Sequence, residues 1–234
     1  MESPLCDVPA GTCLIETFGY VPGSNSGHNS GHNFGQGIAR RDLHLARLMQ
    51  SARALGFAHD QSAVLAVFER ITGPEPLRCR VTLAQDGSLQ LETAAMPAPV
   101  AEIRFVIAEQ RLESANPLLR HKTTQRDTYD QARAALPKGV EEAILLNERD
   151  EVCEGTITNI SVTTPDGARL TPPLASGCLA GVYRQSLLQS GTIQEAVLTL
   201  NDLRAARTIT LMNSLRGQMR AVWAPQCAQF TRIA

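Results

Sequence analysis

The chain has 234 residues, of which 43% are hydrophobic, and its formal net charge at pH 7 is −1. This length is enough for one large or two small domains with a substantial core. The near-neutral charge without a basic block, together with only three tyrosines and one tryptophan, argues against nucleic acid or an anionic membrane as a partner.

The cysteines and the first residues of the sequence indicate a cytoplasmic protein. Six cysteines are scattered without a Cys-x-x-Cys pair, which predicts reduced thiols rather than a disulfide framework or a zinc site. The beginning of the sequence does not look like a signal peptide, because Glu2 is acidic and no apolar run comes after it. No stretch is long and apolar enough to predict a membrane span.

The first half of the chain alternates between strand and helix patterns. The predicted elements are a strand at 12–20, helices at 42–55 and 61–71, and the two strands of a hairpin at 78–84 and 88–93. Gly56 comes directly after the first helix as a stop signal, and Asp60 is placed to cap the second one.

A segment of unusual composition, residues 23–37, comes after the first strand. It consists almost entirely of glycine, asparagine, serine and histidine, which predicts a mobile surface loop. His28 and His32 lie four residues apart, but no carboxylate accompanies them and no helix is predicted there. The sequence therefore predicts a flexible insertion, and no metal site is expected.

The second half of the chain mixes short strands with helices and contains no internal repeat. Its predicted elements are strands at 102–109, 143–147, 152–164, 208–212 and 218–224, and helices at 126–136, 177–189 and 201–206. A proline-rich breaker at 96–100 and the pair Asn116-Pro117 predict a domain boundary, which divides the chain into domains 1–105 and 118–234. The predicted fold class is α+β (mixed α/β) with substantial antiparallel pairing.

Lys122 is a candidate catalytic residue because of its surroundings in the sequence. It lies just before or at the start of the predicted helix at 126–136, where the helix N-terminus carries positive partial charge. That field, together with Arg120, His121 and Arg126, favours a neutral amine, which is the form that Schiff-base chemistry requires. The alternative interpretation is a solvated surface lysine.

Two further features suggest a site for an anion. Arg47 lies between apolar residues of the helix at 42–55, so its guanidinium either reaches solvent or is directed at an anion. The helix at 177–189 begins in a glycine-containing stretch, and such a helix start offers backbone N–H groups to a phosphate.

Five motifs, taken in order, resemble a known family. They are the helix His44-Leu-Ala-Arg47-Leu with its continuation to Gly56, and the stretches His121-Lys122-Thr-Thr, Glu154-Gly-Thr-Ile-Thr-Asn159, Leu179-Ala-Gly181-Val-Tyr-Arg184 and Asn213-Ser-Leu-Arg-Gly217. The chain thereby resembles fold-type IV pyridoxal-phosphate enzymes, also called class IV aminotransferases. The resemblance implies an N-terminal α/β sandwich, a C-terminal β-barrel-like domain, pyridoxal 5'-phosphate as cofactor and a homodimer.

The resemblance also implies roles for individual residues. Lys122 would form the Schiff base with the cofactor and move a proton, and Glu154 would keep the pyridine nitrogen protonated so that the ring accepts electrons. The remaining cofactor-binding residues implied by the family motifs are Arg47, Asn159, Gly181, Val182 and Ser214. Arg47, the backbone at Gly181 and Val182, and the Ser214 hydroxyl would hold the phosphate.

Within the family, the lysine stretch and the Asn213–Gly217 turn are most similar to 4-amino-4-deoxychorismate lyases. Such an enzyme would convert 4-amino-4-deoxychorismate to 4-aminobenzoate and pyruvate on the way to folate. Thr17 matches a threonine near the reacting carbon, and Arg126 is either a substrate-carboxylate partner or a solvated arginine. The alternatives are an aminotransferase acting on a D- or branched-chain amino acid and an inactive pyridoxal-phosphate binder. The insertion at 23–37 departs from the family pattern.

Overall fold

The computed structural model describes residues 8–23 and 37–224, and within these ranges it contains five α-helices and twelve β-strands. The helices are α1 (Arg41–Leu55), α2 (Gln61–Glu69), α3 (Asp127–Ala134), α4 (Val182–Gln189) and α5 (Leu200–Ala205). The strands are β1 (Cys13–Val21), β2 (Gly37–Ile38), β3 (Leu77–Ala84), β4 (Leu89–Ala95), β5 (Glu102–Leu112), β6 (Glu142–Asn147), β7 (Val152–Gly155), β8 (Asn159–Thr163), β9 (Arg169–Thr171), β10 (Gln194–Glu195), β11 (Thr208–Asn213) and β12 (Gly217–Trp223). Apart from its two ends, the predicted loop at 23–37 with His28 and His32 lies outside the described residues.

The first sheet is antiparallel and has the strand order β2-β1-β3-β4. Because side chains alternate between the two faces of a strand, Cys79, Val81 and Leu83 of β3 enter the core that α1 and α2 cover. The same alternation places Arg78 and Arg80 on the opposite face, where they border a cavity.

The two predicted helix signals in this half are confirmed. Gly56 adopts a left-handed conformation, with φ of 73°, directly after α1, and its N–H donates back to the last turn of the helix. The carboxylate of Asp60 accepts a hydrogen bond of 2.8 Å from the backbone N–H of Ser62 at the start of α2.

The second sheet has eight strands in the order β10-β9-β8-β11-β12-β5-β6-β7 and mixes parallel with antiparallel pairs. Strand β5 pairs in parallel with both β12 and β6 and therefore belongs to this second sheet. Strand β6 is buried on both faces, since Ile144 and Leu146 enter one core while Ala143 and Leu145 enter another. The α+β class is confirmed, and the domain boundary between 105 and 118 stays a prediction.

The single strand predicted at 152–164 is wrong, because two strands, β7 and β8, occupy this stretch. Between them the N–H of Gly155 donates to the carbonyl of Thr158 at 2.8 Å, which closes a tight turn. A Cβ at Gly155 would overlap with the Thr158 hydroxyl and the Glu142 carboxyl group, so only glycine fits there. The turn places the residues of the Glu154–Asn159 motif at the cavity.

The segment around Lys122 joins the two halves of the chain. The N–H of Ile15 donates to the carbonyl of Lys122 at 2.8 Å, and the N–H of Thr124 donates to the carbonyl of Cys13 at 2.9 Å. Residues 122–124 therefore run along the edge of β1 as an extended segment. None of the described helices is long and apolar enough to cross a membrane.

Candidate active site

A cavity of about 630 Å³ lies where β1, the Lys122 segment, the β7–β8 turn, the start of α4 and the β11–β12 turn meet. This volume suits a small organic cofactor together with a substrate. Every site residue predicted from the sequence borders it: Thr17, Arg47, Lys122, Arg126, Glu154, Asn159, Gly181, Val182 and Ser214. The structure thus brings the whole set together, and the role of each residue stays a prediction.

Lys122 is positioned by strand-like hydrogen bonds and not by a helix. The expected position at or just before a helix start is wrong, because α3 begins only at Asp127. Burial lowers the pKa of the Lys122 amine to about 8, and the positive charges of Arg47 and Arg126 act in the same direction. A larger fraction of the amine is therefore neutral near physiological pH than in an ordinary lysine, and the neutral form is the one that nucleophilic chemistry requires.

Glu154 is a buried acid, 4% exposed, at the end of β7. Its Oε1 accepts a hydrogen bond of 2.7 Å from the Tyr129 hydroxyl, and its Oε2 accepts one of 3.2 Å from the Asn159 amide. Burial raises the pKa of Glu154 to about 7, although the hydrogen bonds from Tyr129 and from the Leu179 N–H oppose this rise. A carboxyl group poised in this way can share a proton with a ring nitrogen.

The β7–β8 turn is held by a second buried acid, which the sequence motifs did not indicate. Glu142, 0% exposed, accepts hydrogen bonds from the backbone N–H of Thr156 at 2.9 Å and from the Thr158 hydroxyl at 3.0 Å. A carboxylate that is buried and hydrogen-bonded in this manner is a structural support. It fixes the turn that carries Glu154 and Asn159.

Arg47 has a protein carboxylate as its partner. Its Nε and Nη2 donate to the two oxygens of Glu16 at 2.8 and 2.6 Å, and its Nη1 donates to the carbonyl of Ala180 at 3.3 Å. Glu16, which no sequence motif singled out, is thus one anion that this partly buried arginine binds, and its contact with a phosphate stays a prediction. Because Ala180 precedes the start of α4, Arg47 also borders the expected phosphate position.

The start of α4 lies against Asn159. The predicted helix start near Gly177 is wrong, because the helix begins at Val182. No side chain of the described residues caps it. A Cβ at Gly181 would overlap with the Asn159 amide, which itself donates to the carbonyl of Leu179 at 3.0 Å. Gly181 and Asn159 therefore interlock, and the helix N-terminus remains open toward the cavity for an anion.

Ser214, in the turn between β11 and β12, has two neighbours that the sequence did not reveal. Its Oγ lies 2.6 Å from Nε2 of His44, a residue of α1 that is fully buried. Its carbonyl accepts a hydrogen bond of 3.2 Å from Arg40, whose guanidinium stacks on the Tyr183 ring at 4.5 Å. Arg40 has a positive φ of 57°, an unusual backbone conformation for a residue that is not glycine.

Arg126 is already engaged by the protein. Its guanidinium donates to the carbonyl of Thr156, lies over the Tyr129 ring at 4.9 Å and approaches Asp130 at 3.7 Å. The structure therefore gives Arg126 a part in holding the β7–β8 turn, besides its position at the cavity. Its predicted contact with a substrate carboxylate stays a prediction.

Two arginines on the β1–β3 side of the cavity were not singled out from the sequence. Arg80 lies opposite Thr17 in the strand register, and Arg78 lies opposite Gly19. Both border the cavity, and neither has an ion-pair partner among the described residues. The periodicity of β3 could have signalled them, because two arginines share the face opposite the buried residues.

The residues present fit pyridoxal 5'-phosphate. The amine of Lys122 and the acid Glu154 border one cavity and would hold the aldehyde and the ring nitrogen. The phosphate would lie at the start of α4 near Ser214. The Nε atoms of Arg40 and Arg216, near this expected phosphate position, are buried and have no hydrogen-bond partner among the described residues. They are therefore donors that an anion could use.

Comparisons with known proteins support this assignment. The model of the amino-transferase class IV family matches residues 33–222. A provisionally named amino-acid aminotransferase from Mesorhizobium loti is 36% identical, with a TM-score of 0.82 over 91% of this chain and 100% of that one. A 4-amino-4-deoxychorismate lyase from Pseudomonas aeruginosa, 21% identical, has the same fold, with a TM-score of 0.72 over 94% of this chain and 88% of that one.

Two curated relatives are also similar in sequence. An aminodeoxychorismate lyase from Saccharomyces cerevisiae is 29% identical over 130 residues, which is 48% of this chain and 35% of the relative. The chain therefore matches only about a third of that protein's length. A provisionally named aminodeoxychorismate lyase from Schizosaccharomyces pombe is 26% identical over 189 residues, 76% of this chain and 81% of the relative.

The family assignment agrees with the geometry of the cavity. The match covers most of the chain, and the lysine, the buried acid and the open helix start occupy one site. Enzymes of this family depend on pyridoxal phosphate, and one structural neighbour from Mycobacterium tuberculosis is described in its pyridoxal-phosphate-bound form. The chain belongs to the amino-transferase class IV family and is a pyridoxal-phosphate-dependent lyase or aminotransferase.

Proposed function

We propose that this protein is a 4-amino-4-deoxychorismate lyase, which releases 4-aminobenzoate and pyruvate for folate synthesis. The observation that carries the proposal is that Lys122 lies in one cavity with Glu154, Arg78 and Arg80. The pKa of the Lys122 amine is lowered to about 8. Neither arginine forms an ion pair with a described carboxylate. The substrate has one amine and two carboxylates. The curated relatives named as aminodeoxychorismate lyases support the same assignment.

The residues would divide the reaction between them. Lys122, as a free base, takes the proton from the ring carbon that bears the substrate amine. The bond between the ring and the enolpyruvyl oxygen breaks, the oxygen leaves with the bonding electron pair, and the ring becomes aromatic. Lys122 then returns a proton to the departing enolpyruvate, which becomes pyruvate. Bound pyridoxal phosphate supplies the electron sink for the carbanion, and Glu154 holds the proton on its nitrogen.

The substrate carboxylates would be recognised on the β1–β3 side of the cavity. Arg78 and Arg80 carry two positive charges there, and neither makes an ion pair within the described residues, although Glu92 lies across from Arg80 in the register with β4. A guanidinium suits a carboxylate because it presents paired donors in a plane. Thr17, directly across the strand register from Arg80, would contact the substrate near the reacting carbon.

An aminotransferase acting on a D- or branched-chain amino acid is the second candidate. It is favoured by the Mesorhizobium loti protein, because that similarity extends over 91% of this chain. The two reactions share the lysine and the cofactor and diverge only after the proton has been removed. An inactive pyridoxal-phosphate binder is the least favoured alternative, since Lys122 and Glu154 are both present and border the same cavity.

Product analysis decides between these functions. The purified protein is loaded with pyridoxal phosphate and incubated with 4-amino-4-deoxychorismate, and 4-aminobenzoate and pyruvate are quantified. Equal amounts of the two products, absent with Lys122→Ala, would support the lyase. No product from this substrate, together with amino-group transfer between an amino acid and a keto acid, would support the aminotransferase.

The expected oligomeric state and compartment are part of the proposal. We propose a homodimer, as the family resemblance implies, located in the cytoplasm, as the scattered cysteines suggest. Light scattering coupled to size-exclusion chromatography should give twice the monomer mass of 25.3 kDa. A mass equal to that of the monomer would contradict the dimer.

A further inference from the structure

Three side chains form a hydrogen-bonded row that runs from the buried core to the edge of the cavity. Nδ1 of His44 lies 2.5 Å from Oε2 of Glu16, and its Nε2 lies 2.6 Å from Oγ of Ser214. Glu16 is 1% exposed and His44 is 0% exposed, whereas Ser214 borders the cavity. The row connects β1, α1 and the β11–β12 turn, and the family motifs imply a role for Ser214 but none for Glu16 or His44.

The number of protons in this row decides what Ser214 can offer to a ligand. Glu16 receives two hydrogen bonds from Arg47 and is an ionised acceptor, so Nδ1 of His44 carries a hydrogen. In a neutral imidazole Nε2 is then an acceptor, and the Ser214 hydroxyl must give its single hydrogen to His44. Ser214 would present only lone pairs to the cavity, which repel a phosphate.

A protonated imidazole reverses this arrangement. Nε2 then carries a hydrogen and donates to Ser214 Oγ, which frees the Ser214 hydrogen for a ligand oxygen. Each polar atom in the row retains a partner, because Glu16 still accepts from Nδ1 of His44. Only the imidazolium form of His44 therefore allows the intact row to donate a hydrogen bond to an anion at Ser214.

We propose that binding of the cofactor phosphate at Ser214 is coupled to the uptake of one proton by His44. His44 would be a positioning residue: it does not contact the phosphate, but it sets the direction in which Ser214 donates. The inference rests on the proposed function, because it takes Ser214 to be a phosphate ligand. The proton comes from solvent and goes to Nε2 of His44, and no other bond to hydrogen is made or lost.

The groups around His44 keep its ring neutral in the free protein, and a bound anion would favour the protonated ring. Glu16 on β1 favours the imidazolium, whereas Arg47 on α1 and Arg40 before α1 oppose it. The Phe18 ring, with its centroid 5.1 Å away, contributes an apolar neighbour. Burial outweighs the other influences and lowers the pKa of His44, so the free protein holds a neutral ring near neutral pH. A phosphate dianion near Arg40 and Ser214 would add negative charge and favour the imidazolium.

Nuclear magnetic resonance of the histidine rings tests the proposal in the unaltered protein. The chain has five histidines, and their imidazole carbons are labelled and monitored through a pH titration. The ligand is pyridoxine 5'-phosphate, which has no aldehyde to react with Lys122, and pyridoxine is the control without phosphate. We expect His44 to be neutral in the free protein near neutral pH and to become an imidazolium when the phosphorylated ligand saturates the site.

A second measurement uses variants. His44→Gln can offer Ser214 a donor that does not titrate, and Ser214→Ala removes the donating hydroxyl. Calorimetry of pyridoxine 5'-phosphate binding in buffers with different ionisation heats counts the protons taken up. We expect the wild type to take up about one proton more than His44→Gln, as linkage requires. We expect Ser214→Ala to bind about tenfold or more weakly, as loss of a hydrogen bond to a charged group implies.

The outcomes separate this inference from the proposed function. If pyridoxine 5'-phosphate binds while His44 stays neutral, and His44→Gln takes up as many protons as the wild type, the coupling is refuted and the cofactor site stands. If neither pyridoxine 5'-phosphate nor pyridoxal phosphate binds, both the coupling and the proposed function are refuted. The resonance experiment needs no substitution at His44, so it decides the matter even if His44→Gln does not fold.

Discussion

The hydroxyl of Tyr129 donates a hydrogen bond of 2.7 Å to Oε1 of Glu154, so the helix after the Lys122 segment is fastened to the acid across the cavity. The bond favours the ionised form of Glu154 and opposes the effect of burial, which raises the pKa of this acid to about 7. One tyrosine thereby links the position of α3 to the protonation state of the acid expected to face the cofactor.

The substitution Tyr129→Phe should shift the pH dependence of the enzyme. Without the hydrogen bond the pKa of Glu154 rises further, so the loss of activity on the acid side should begin at a higher pH. We expect kcat near neutral pH to fall by about tenfold, the effect of a lost hydrogen bond to a charged group. Tyr20→Phe, in β1, is the control. If both variants have the same pH profile, the hydrogen bond from Tyr129 to Glu154 does not set the pH dependence of the enzyme.

Arg80→Gln should weaken substrate binding more than it slows the reaction. The guanidinium borders the cavity and makes no ion pair within the described residues, so its loss removes a partner for a substrate carboxylate. We expect KM to rise by about tenfold, with a smaller change in kcat. Arg53→Gln, on the exposed side of α1, serves as the control. If KM is unchanged in Arg80→Gln, the substrate carboxylates are bound elsewhere.

Glu16→Gln should destabilise the fold itself. Glu16 is buried with Arg47 and His44, and breaking a buried ion pair from one side typically costs about 3–5 kcal/mol. Chemical denaturation measures this loss in free energy of unfolding. Glu69→Gln is the matched control, because Glu69 pairs with Arg41 at the surface and 68% of its side chain is exposed. We expect little change in the free energy of unfolding for this variant.

The same residue gives a prediction for acid stability. Burial alone would raise the pKa of Glu16, but Arg47 and His44 outweigh it and hold the pKa at about 2, against an ordinary value of 4.5. Because the folded pKa is depressed, the contribution of Glu16 is complete above pH 4.5 and is lost as the pH falls toward 2. The free energy of unfolding should decline less steeply over this range in Glu16→Gln than in the wild type, and equal slopes would argue against the ion pair.

Local patterns in the sequence predicted much of the fold. Gly56 and Asp60 marked the ends of α1 and α2 because helix termination and capping depend on residues next to each other. The run at 152–164 was wrongly predicted as one strand, since the carboxylate that holds its internal turn belongs to Glu142 on a preceding strand. Periodicity does not show a contact of this kind.

The site was predicted less completely than the fold. The motifs identified the residues that border the cavity, but they did not identify the partners of those residues. Arg47 was expected to meet a phosphate, and the structure adds Glu16, which lies 31 positions earlier in the sequence. His44 and Ser214 are 170 positions apart, and only the folded chain brings their side chains together. Such pairs depend on the packing of distant elements, for which a single sequence carries no local signal.

The role of Lys122 is tested most directly by locating the cofactor on the chain. Lys122 and Lys138 are the only lysines in the sequence, and Lys138 is exposed. The protein is loaded with pyridoxal phosphate, reduced with borohydride, digested and analysed by mass spectrometry. We expect a phosphopyridoxyl group on Lys122, unchanged in Lys138→Ala and lost, together with activity, in Lys122→Ala. Labelling of Lys138 alone, or an active Lys122→Ala enzyme, would show that Lys122 is not the lysine that binds the cofactor.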